Sequence, residues 1–289
     1  MDYTDYESMF LGSRDIKIFY SVDKVENPKA AVIFVHGICE HLGRYSYIKD
    51  KFVEEGYNVY RYDARGHGRS EGKRGYLEDF TDYLEDLDIL VEMVKNQNKG
   101  LKTILVGHSM GGLVATAYAS MFPDKVDLLA ISGAANQCPK TAKAIKFLPY
   151  NLFGKLNYTN SLGNAVCSVK EVGEEYNKDP LVLKKISFKL LGNAFVKGTK
   201  FVKNNINKIK CPVLVMHGEK DGVVEKSISE WTYANLTCKD KQMKMYSNVY
   251  HEIFNEVIKD RVIRDLLDWC EERVKNNEKV YLVNRSRNH

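Results

Sequence analysis

Three side chains, far apart in the chain, have the types needed for nucleophilic hydrolysis: a serine, an acid and a histidine, in that order. Ser109 stands in Gly107-His108-Ser109-Met110-Gly111, which fits G-x-S-x-G between a strand pattern and a helical one. Glycines two residues to either side let the backbone turn sharply, exposing the serine hydroxyl and leaving the Met110 N–H at a helix start. The segment "VMHGEKDGVV" (215–224) offers an acid. Asp221, followed by Gly222 and two valines that would pin the loop, is preferred there to Glu219. His251 in "SNVYHEIFNE" (247–256) is the candidate base, since His289 lies in the tail. In "VHGICEH" (35–41) Gly37 permits a tight turn, and the Ile38 N–H would join that of Met110 in holding an oxyanion. His108 reads as packing behind the turn. Cys39 reads as a passive neighbour of the site, within reach of thiol reagents.

Such residues need a scaffold, and the hydrophobic pattern supplies one. Short apolar runs at 29–37, 57–66, 102–107, 126–133 and 211–218 read as strands, with a further short strand at Met243–Tyr246. Helical stretches alternate with them at Tyr45–Glu55, Asp79–Asn96, Ser109–Phe122, Glu225–Leu236 and Asp260–Val274. Alternation of this kind predicts an α/β fold, a mostly parallel central sheet with helices on both faces. "IKIFYSV" (16–22) reads as an antiparallel strand at the start. The order Ser109, Asp221, His251 is that of α/β-hydrolases and differs from the orders in chymotrypsin and subtilisin.

Charge divides the chain unevenly. Ala134–Lys210 holds fourteen lysines, no arginine and four acids, a net +10 inside a chain of net +5. Aromatic and aliphatic residues interleave those lysines, so an inserted helical cap is expected at 134–208. The hydrolase core then occupies 1–133 and 209–276, with a loosely held basic C-terminal tail at 277–289. Ile104–Phe122 carries no Asp, Glu, Lys or Arg. Its three glycines, two serines and histidine make it a buried strand-turn-helix rather than a membrane span. The acidic start "MDYTDYESMF" lacks the basic region of a secretory signal, and six scattered cysteines read as free thiols, so a cytoplasmic location is expected. "YDARGHGRSEG" (62–72), with Asp63, Arg65 and His67, reads as a structural turn in which Arg65 bonds nearby carbonyls. No metal is expected, because the histidines sit in separate loops without an i, i+4 pair. Nucleic acid is not an expected partner, because the basic segment lacks arginine and any recognition motif.

Together "HGICEH", "DARGHGRSEG", "GHSMGG", "NKDPL" (177–181), "HGEKDGVV" and "YHEIFNE" resemble the monoacylglycerol lipase and lysophospholipase branch of the α/β-hydrolases, from about Lys29 to Val274. The resemblance implies Ser109 as nucleophile, Asp221 as acid, His251 as base, and Ile38 and Met110 as oxyanion donors. It also implies a helical cap forming an acyl tunnel, an ester of one acyl chain as substrate, and no cofactor. With an ordinary imidazole, activity would rise through about pH 6–7. A second expectation has the lysines of the cap settling on anionic membrane or micelle surfaces, against the plain alternative of solvated lysines. The rival functions are a short-chain carboxylesterase, a proline iminopeptidase-like enzyme and a non-catalytic binding protein of the same fold. A missing triad member would betray the last of these, and none is missing.

Overall fold

A computed structural model describes residues 3–286 of the 289-residue chain. Its central sheet has eight strands: β1 (Tyr3–Leu11), β2 (Lys17–Val25), β3 (Ala31–Val35), β4 (Asn58–Tyr62), β5 (Thr103–His108), β6 (Leu128–Ser132), β9 (Val213–Gly218) and β10 (Lys241–Tyr246). They lie side by side in the order β1-β2-β4-β3-β5-β6-β9-β10. β1 and β2 run antiparallel to their neighbours, and the other pairings are parallel. The central strands are mostly apolar because both faces are covered. On β3, Ala31, Ile33 and Val35 enter one core, while Val32 and Phe34 enter the other. β9 divides in the same way, Val213 and Val215 against Leu214 and Met216.

Helices fill each face. α2 (Thr81–Gln97) and α3 (Met110–Met121) supply Leu84, Leu87 and Leu113 to the first core, joined by Ile228 of α7 (Lys226–Asn235). α1 (Ser46–Glu54) and α8 (Lys259–Ser286) supply Ile48, Phe52, Val262 and Leu266 to the second. Between β6 and β9 lie a 3-10 turn (Lys140–Phe147), α4 (Lys170–Lys178), α5 (Phe188–Gly192), a π-helical turn (Asn193–Gly198) and α6 (Thr199–Asn205). A small antiparallel pair, β7 (Asn157–Thr159) and β8 (Lys185–Ser187), ties that stretch together. α6 packs on α3, and Val202 joins the first core.

Three features differ from the sequence reading: the β7–β8 pair lies within the stretch read as helical, and β1 and the end of α8 depart from it as well. β1 was not expected, since its face pattern is almost wholly exposed and resembles a polar leader. Its place on the sheet comes from cross-strand contacts, with the Tyr6 and Phe10 rings 6.2 and 5.7 Å from that of Tyr20. α8 continues to Ser286, past the expected end at Val274 and into the stretch read as a loose tail. No glycine or proline occurs between 259 and 286, so no residue there breaks the helical hydrogen-bond pattern. Residues 287–289 of that tail lie outside the described residues.

Candidate active site

The candidate residues all follow carboxyl ends of strands in the parallel part of the sheet. Ile38 comes after β3, Ser109 after β5, Asp221 after β9 and His251 after β10. Open α/β sheets place their sites in that position, because loops there converge while the strands hold them rigidly.

Ser109 carries the strain of the turn. Its φ of 54° and ψ of −118° lie where non-glycine residues rarely sit, and it directly precedes α3. The turn survives because its neighbours permit close approach. A Cβ on Gly111 would lie 2.1 Å from the Val35 carbonyl oxygen, and one on Gly37 only 3.0 Å from the Ser109 Cβ. The loop after β3 therefore lies directly against the serine. Ser109 N–H donates to the Ser132 carbonyl at 2.9 Å, anchoring the turn to the end of β6. Met110 is the first residue of α3, where backbone N–H groups lack intrahelical acceptors. Ile38 and Ser109 line the same apolar cavity, of about 140 Å³. Ile145, Leu162, Leu191 and Phe195, from the segment between β6 and β9, help to enclose it.

Asp221 and His251 meet by direct hydrogen bonding. Nδ1 of His251 lies 2.6 Å from Oδ2 of Asp221, and a carboxylate only accepts, so the proton is on Nδ1 and Nε2 is left as an acceptor. The other oxygen, Oδ1, accepts the Val223 and Val224 N–H groups at 2.8 and 2.9 Å. Glu219 instead accepts a hydrogen bond from Ser247 at the surface. The preference for Asp221 thus has a geometric reason. Burial raises the carboxyl of Asp221, but the charge and hydrogen bond of His251 outweigh this and hold it below its ordinary value. Burial pushes the His251 imidazole down, whereas Asp221, aided by Glu252 and Glu40, drives it above its ordinary value. The His251 imidazole therefore keeps its second proton to higher pH than an ordinary imidazole does.

Two further histidines frame this pair. The His108 ring centroid is 4.5 Å from that of His251, and burial holds His108 neutral well below its usual pKa. That agrees with packing behind the turn. His217, on β9, carries no recognisable signal in the sequence. Its Nε2–H donates to the Val224 carbonyl at 3.0 Å, so its Nδ1 accepts from the Ser229 hydroxyl at 2.8 Å. It fixes the loop that aims Asp221. Gly133 backs the arrangement from the end of β6, since a Cβ there would lie 3.1 Å from Nδ1 of His251.

Two expectations need correction. Cys39 is fully buried, and burial pushes its thiol far above the ordinary range, so it is closed to thiol reagents. Adjacency in sequence to Ile38 said nothing of which way its side chain turned. Arg65 does reach a carbonyl, that of Ser13 at 3.0 Å, but its main partner is the Asp86 carboxylate, which takes Nε and Nη2 at 2.6 Å each. A buried guanidinium needs a counter-charge, and α2 brings one that local spacing cannot reveal. The structural reading of that turn holds otherwise. Asp63 accepts the Leu42 and Arg69 N–H groups at 2.7 Å each, and His36 Nε2 accepts that of Ala64.

A strand-to-helix turn bearing a serine, beside an Asp–His pair at the carboxyl edge of a mostly parallel sheet, defines an α/β-hydrolase of the serine type. Residues 26–258 match the family described as serine aminopeptidase, S33, and the chain belongs to it. It lies in the monoacylglycerol lipase branch and is an ester hydrolase. The monoacylglycerol lipase of Mycolicibacterium smegmatis is 31% identical over 271 residues, covering 92% of this chain and 97% of that protein. The crystal structure of the Paleococcus ferrophilus monoacylglycerol lipase superposes with a TM-score of 0.76 at 28% identity, over 95% of this chain and 99% of that one. A soluble variant of the Saccharomyces cerevisiae monoglyceride lipase, in complex with a substrate analog, shares the fold with a TM-score of 0.84 at 23% identity. That likeness covers 92% of this chain and 94% of that one.

Proposed function

We propose that this enzyme cleaves monoacylglycerols, with Ser109 as nucleophile, His251 as base, Asp221 as the acid that orients it, and the Ile38 and Met110 amides as the oxyanion hole. Nε2 of His251 takes the Ser109 proton as Oγ attacks the ester carbonyl carbon, and the carbonyl electrons move onto oxygen. Two N–H dipoles stabilise that oxyanion, each worth roughly 10²–10³ in turnover. Collapse expels the alcohol, protonated by His251, and water then releases the fatty acid by the same route.

The observation that carries the substrate assignment is the cavity beside Ser109, whose lining is mostly aliphatic and aromatic, with Thr141, Asn160 and Ser161 as its other polar members, and includes no Asp or Glu. An acyl chain gains there by leaving water, and no carboxylate is present to hold the free ammonium that an aminopeptidase substrate carries. Residues 134–208 serve in this reading as the cap that encloses the chain. A panel of monoolein, lysophosphatidylcholine, p-nitrophenyl acetate, p-nitrophenyl decanoate and prolyl p-nitroanilide tests the assignment. At about 0.8 kcal/mol per buried methylene, kcat/KM should rise about tenfold for every two methylenes added until the cavity is full. Monoolein should exceed lysophosphatidylcholine. Preference for acetate or for the prolyl anilide would overturn the assignment.

The outer side of the same segment favours work at a lipid surface. Phe147 is 88% exposed and Leu152 78%, with Phe153, Leu156 and Tyr158 also exposed nearby. Lys143, Lys146 and Lys155 share that stretch, and each lysine near an anionic surface contributes about 1 kcal/mol. Among the described residues no helix is long and apolar enough to cross a membrane. The proposed contact is peripheral and is made from the cytoplasm. The double variant Phe147→Ser, Leu152→Ser should keep its rate on soluble p-nitrophenyl butyrate while losing most sedimentation with phosphatidylglycerol vesicles. Sedimentation equal to that of the unaltered protein would end the idea.

A further inference from the structure

The motif "HGICEH" contains a buried acid that the proposed mechanism does not use. Glu40 Oε1 accepts the Gly37 N–H at 2.5 Å and the Tyr45 hydroxyl at 2.8 Å. Its Oε2 faces Arg44 Nε at 3.5 Å, and Arg44 Nη2 donates to Glu252 Oε2 at 2.6 Å. All three side chains are nearly inaccessible to solvent, and the Arg44 guanidinium also lies 4.9 Å from the centre of the Tyr176 ring. Glu252 directly follows His251 in the chain. The oxyanion loop and the histidine loop, about two hundred residues apart in sequence, are thereby braced against each other by two carboxylates and one guanidinium.

We infer that Glu40 is a positioning residue: by holding the Gly37 amide, and through Arg44 the Glu252 carboxylate, it sets where the Ile38 N–H points relative to Ser109 and His251. Holding the Gly37 N–H fixes where the turn begins, and the planar peptide that carries the Ile38 N–H is fixed at its other end, where the Gly37 carbonyl accepts the His36 Nδ1–H at 2.7 Å. A donor displaced by a fraction of an ångström loses much of its value to an oxyanion while barely affecting an apolar chain bound alongside. Burial and Glu252 push the Glu40 carboxyl up to about 7 against the pull of Arg44, so Glu40→Gln imitates a form close to the native balance. The glutamine still offers Oε1 to Gly37, whereas Glu40→Ala offers nothing.

The inference rests on the proposed roles of Ser109 and Ile38, and the test separates the two. Decyl trifluoromethyl ketone reads the oxyanion hole: a Ser109 Oγ–carbon bond forms, the carbonyl π electrons move to oxygen, and the serine proton passes to His251. Decanol reads the acyl cavity alone. Inhibition constants for both are measured on the unaltered enzyme, Glu40→Gln and Glu40→Ala, together with kcat and KM on p-nitrophenyl butyrate. Glu40→Ala should lose about tenfold or more in kcat and in ketone affinity, and Glu40→Gln less, with KM and decanol affinity within about threefold. Ketone affinity and kcat within threefold in Glu40→Ala would overturn the inference, as would a parallel loss of ketone and decanol binding. Were the serine assignment itself wrong, the unaltered enzyme would already fail to bind the ketone more tightly than decanol.

Discussion

Ser109→Ala is expected to reduce kcat on p-nitrophenyl butyrate by about 10⁶, leaving only the residual acceleration that an oxyanion hole and binding can give. Labelling by a fluorophosphonate should vanish with it. The loss is large because no other nucleophile can substitute. Cys39 is buried with its thiol held protonated, and His108 faces the Ser132 carbonyl and hydroxyl. The strained backbone at position 109 supplies an internal control. Alanine keeps the strain of φ 54°, whereas glycine removes it. Ser109→Gly should therefore unfold at a higher temperature than Ser109→Ala, by about 1 kcal/mol of stability, while being equally inactive. Retained labelling in either variant would rule out Ser109 as the nucleophile. Equal melting temperatures would show that the turn is not strained.

Asp221→Asn is expected to lower kcat/KM by about 10⁴ with little loss of fold. The asparagine carbonyl can still accept the Val223 and Val224 N–H groups that Oδ1 accepts now, so the loop keeps its shape. What changes is the proton on His251. The carboxylate requires it on Nδ1, whereas the amide NH₂ donates and favours the tautomer with the proton on Nε2, facing the wrong way for a base. The pH profile gives a second and independent reading. Asp221 raises the His251 pKa, so in the unaltered enzyme the base stays protonated, and idle, to above its ordinary pKa, and the acid limb of kcat/KM lies above pH 6.5. Without the carboxylate, burial dominates and the limb moves to lower pH. A variant retaining a tenth of the activity, or one with an unmoved limb, would remove Asp221 from the proposed triad.

Much of this site is legible in the amino-acid sequence because its parts are short-range. G-x-S-x-G owes its geometry to glycines within two residues of Ser109, and the turn at Gly37 is equally local. Alternating apolar runs mark the central strands, because a sheet covered on both faces leaves little choice of residue. Asp221 is separable from Glu219 in sequence only on the weak ground of its apolar followers. The structure adds the reason, two backbone N–H groups and a histidine for one and a surface serine for the other. β1 escapes notice because an exposed edge strand has no buried face to impose a pattern on its residues.

The sequence by itself determined the order of the core strands from β2 onward and of the helices between them, the sharp turn at Ser109 and the succession of serine, acid and histidine. Each depends on backbone sterics or periodicity within a few residues. Tertiary structure alone decided that Arg65 pairs with Asp86, that His217 braces the acid loop, that Cys39 is sealed, and that Glu40 and Glu252 share Arg44. Those are contacts between segments far apart in the chain, where burial makes a charge or a polar hydrogen seek whichever partner the packing brings near. Spacing along a chain carries no record of that choice.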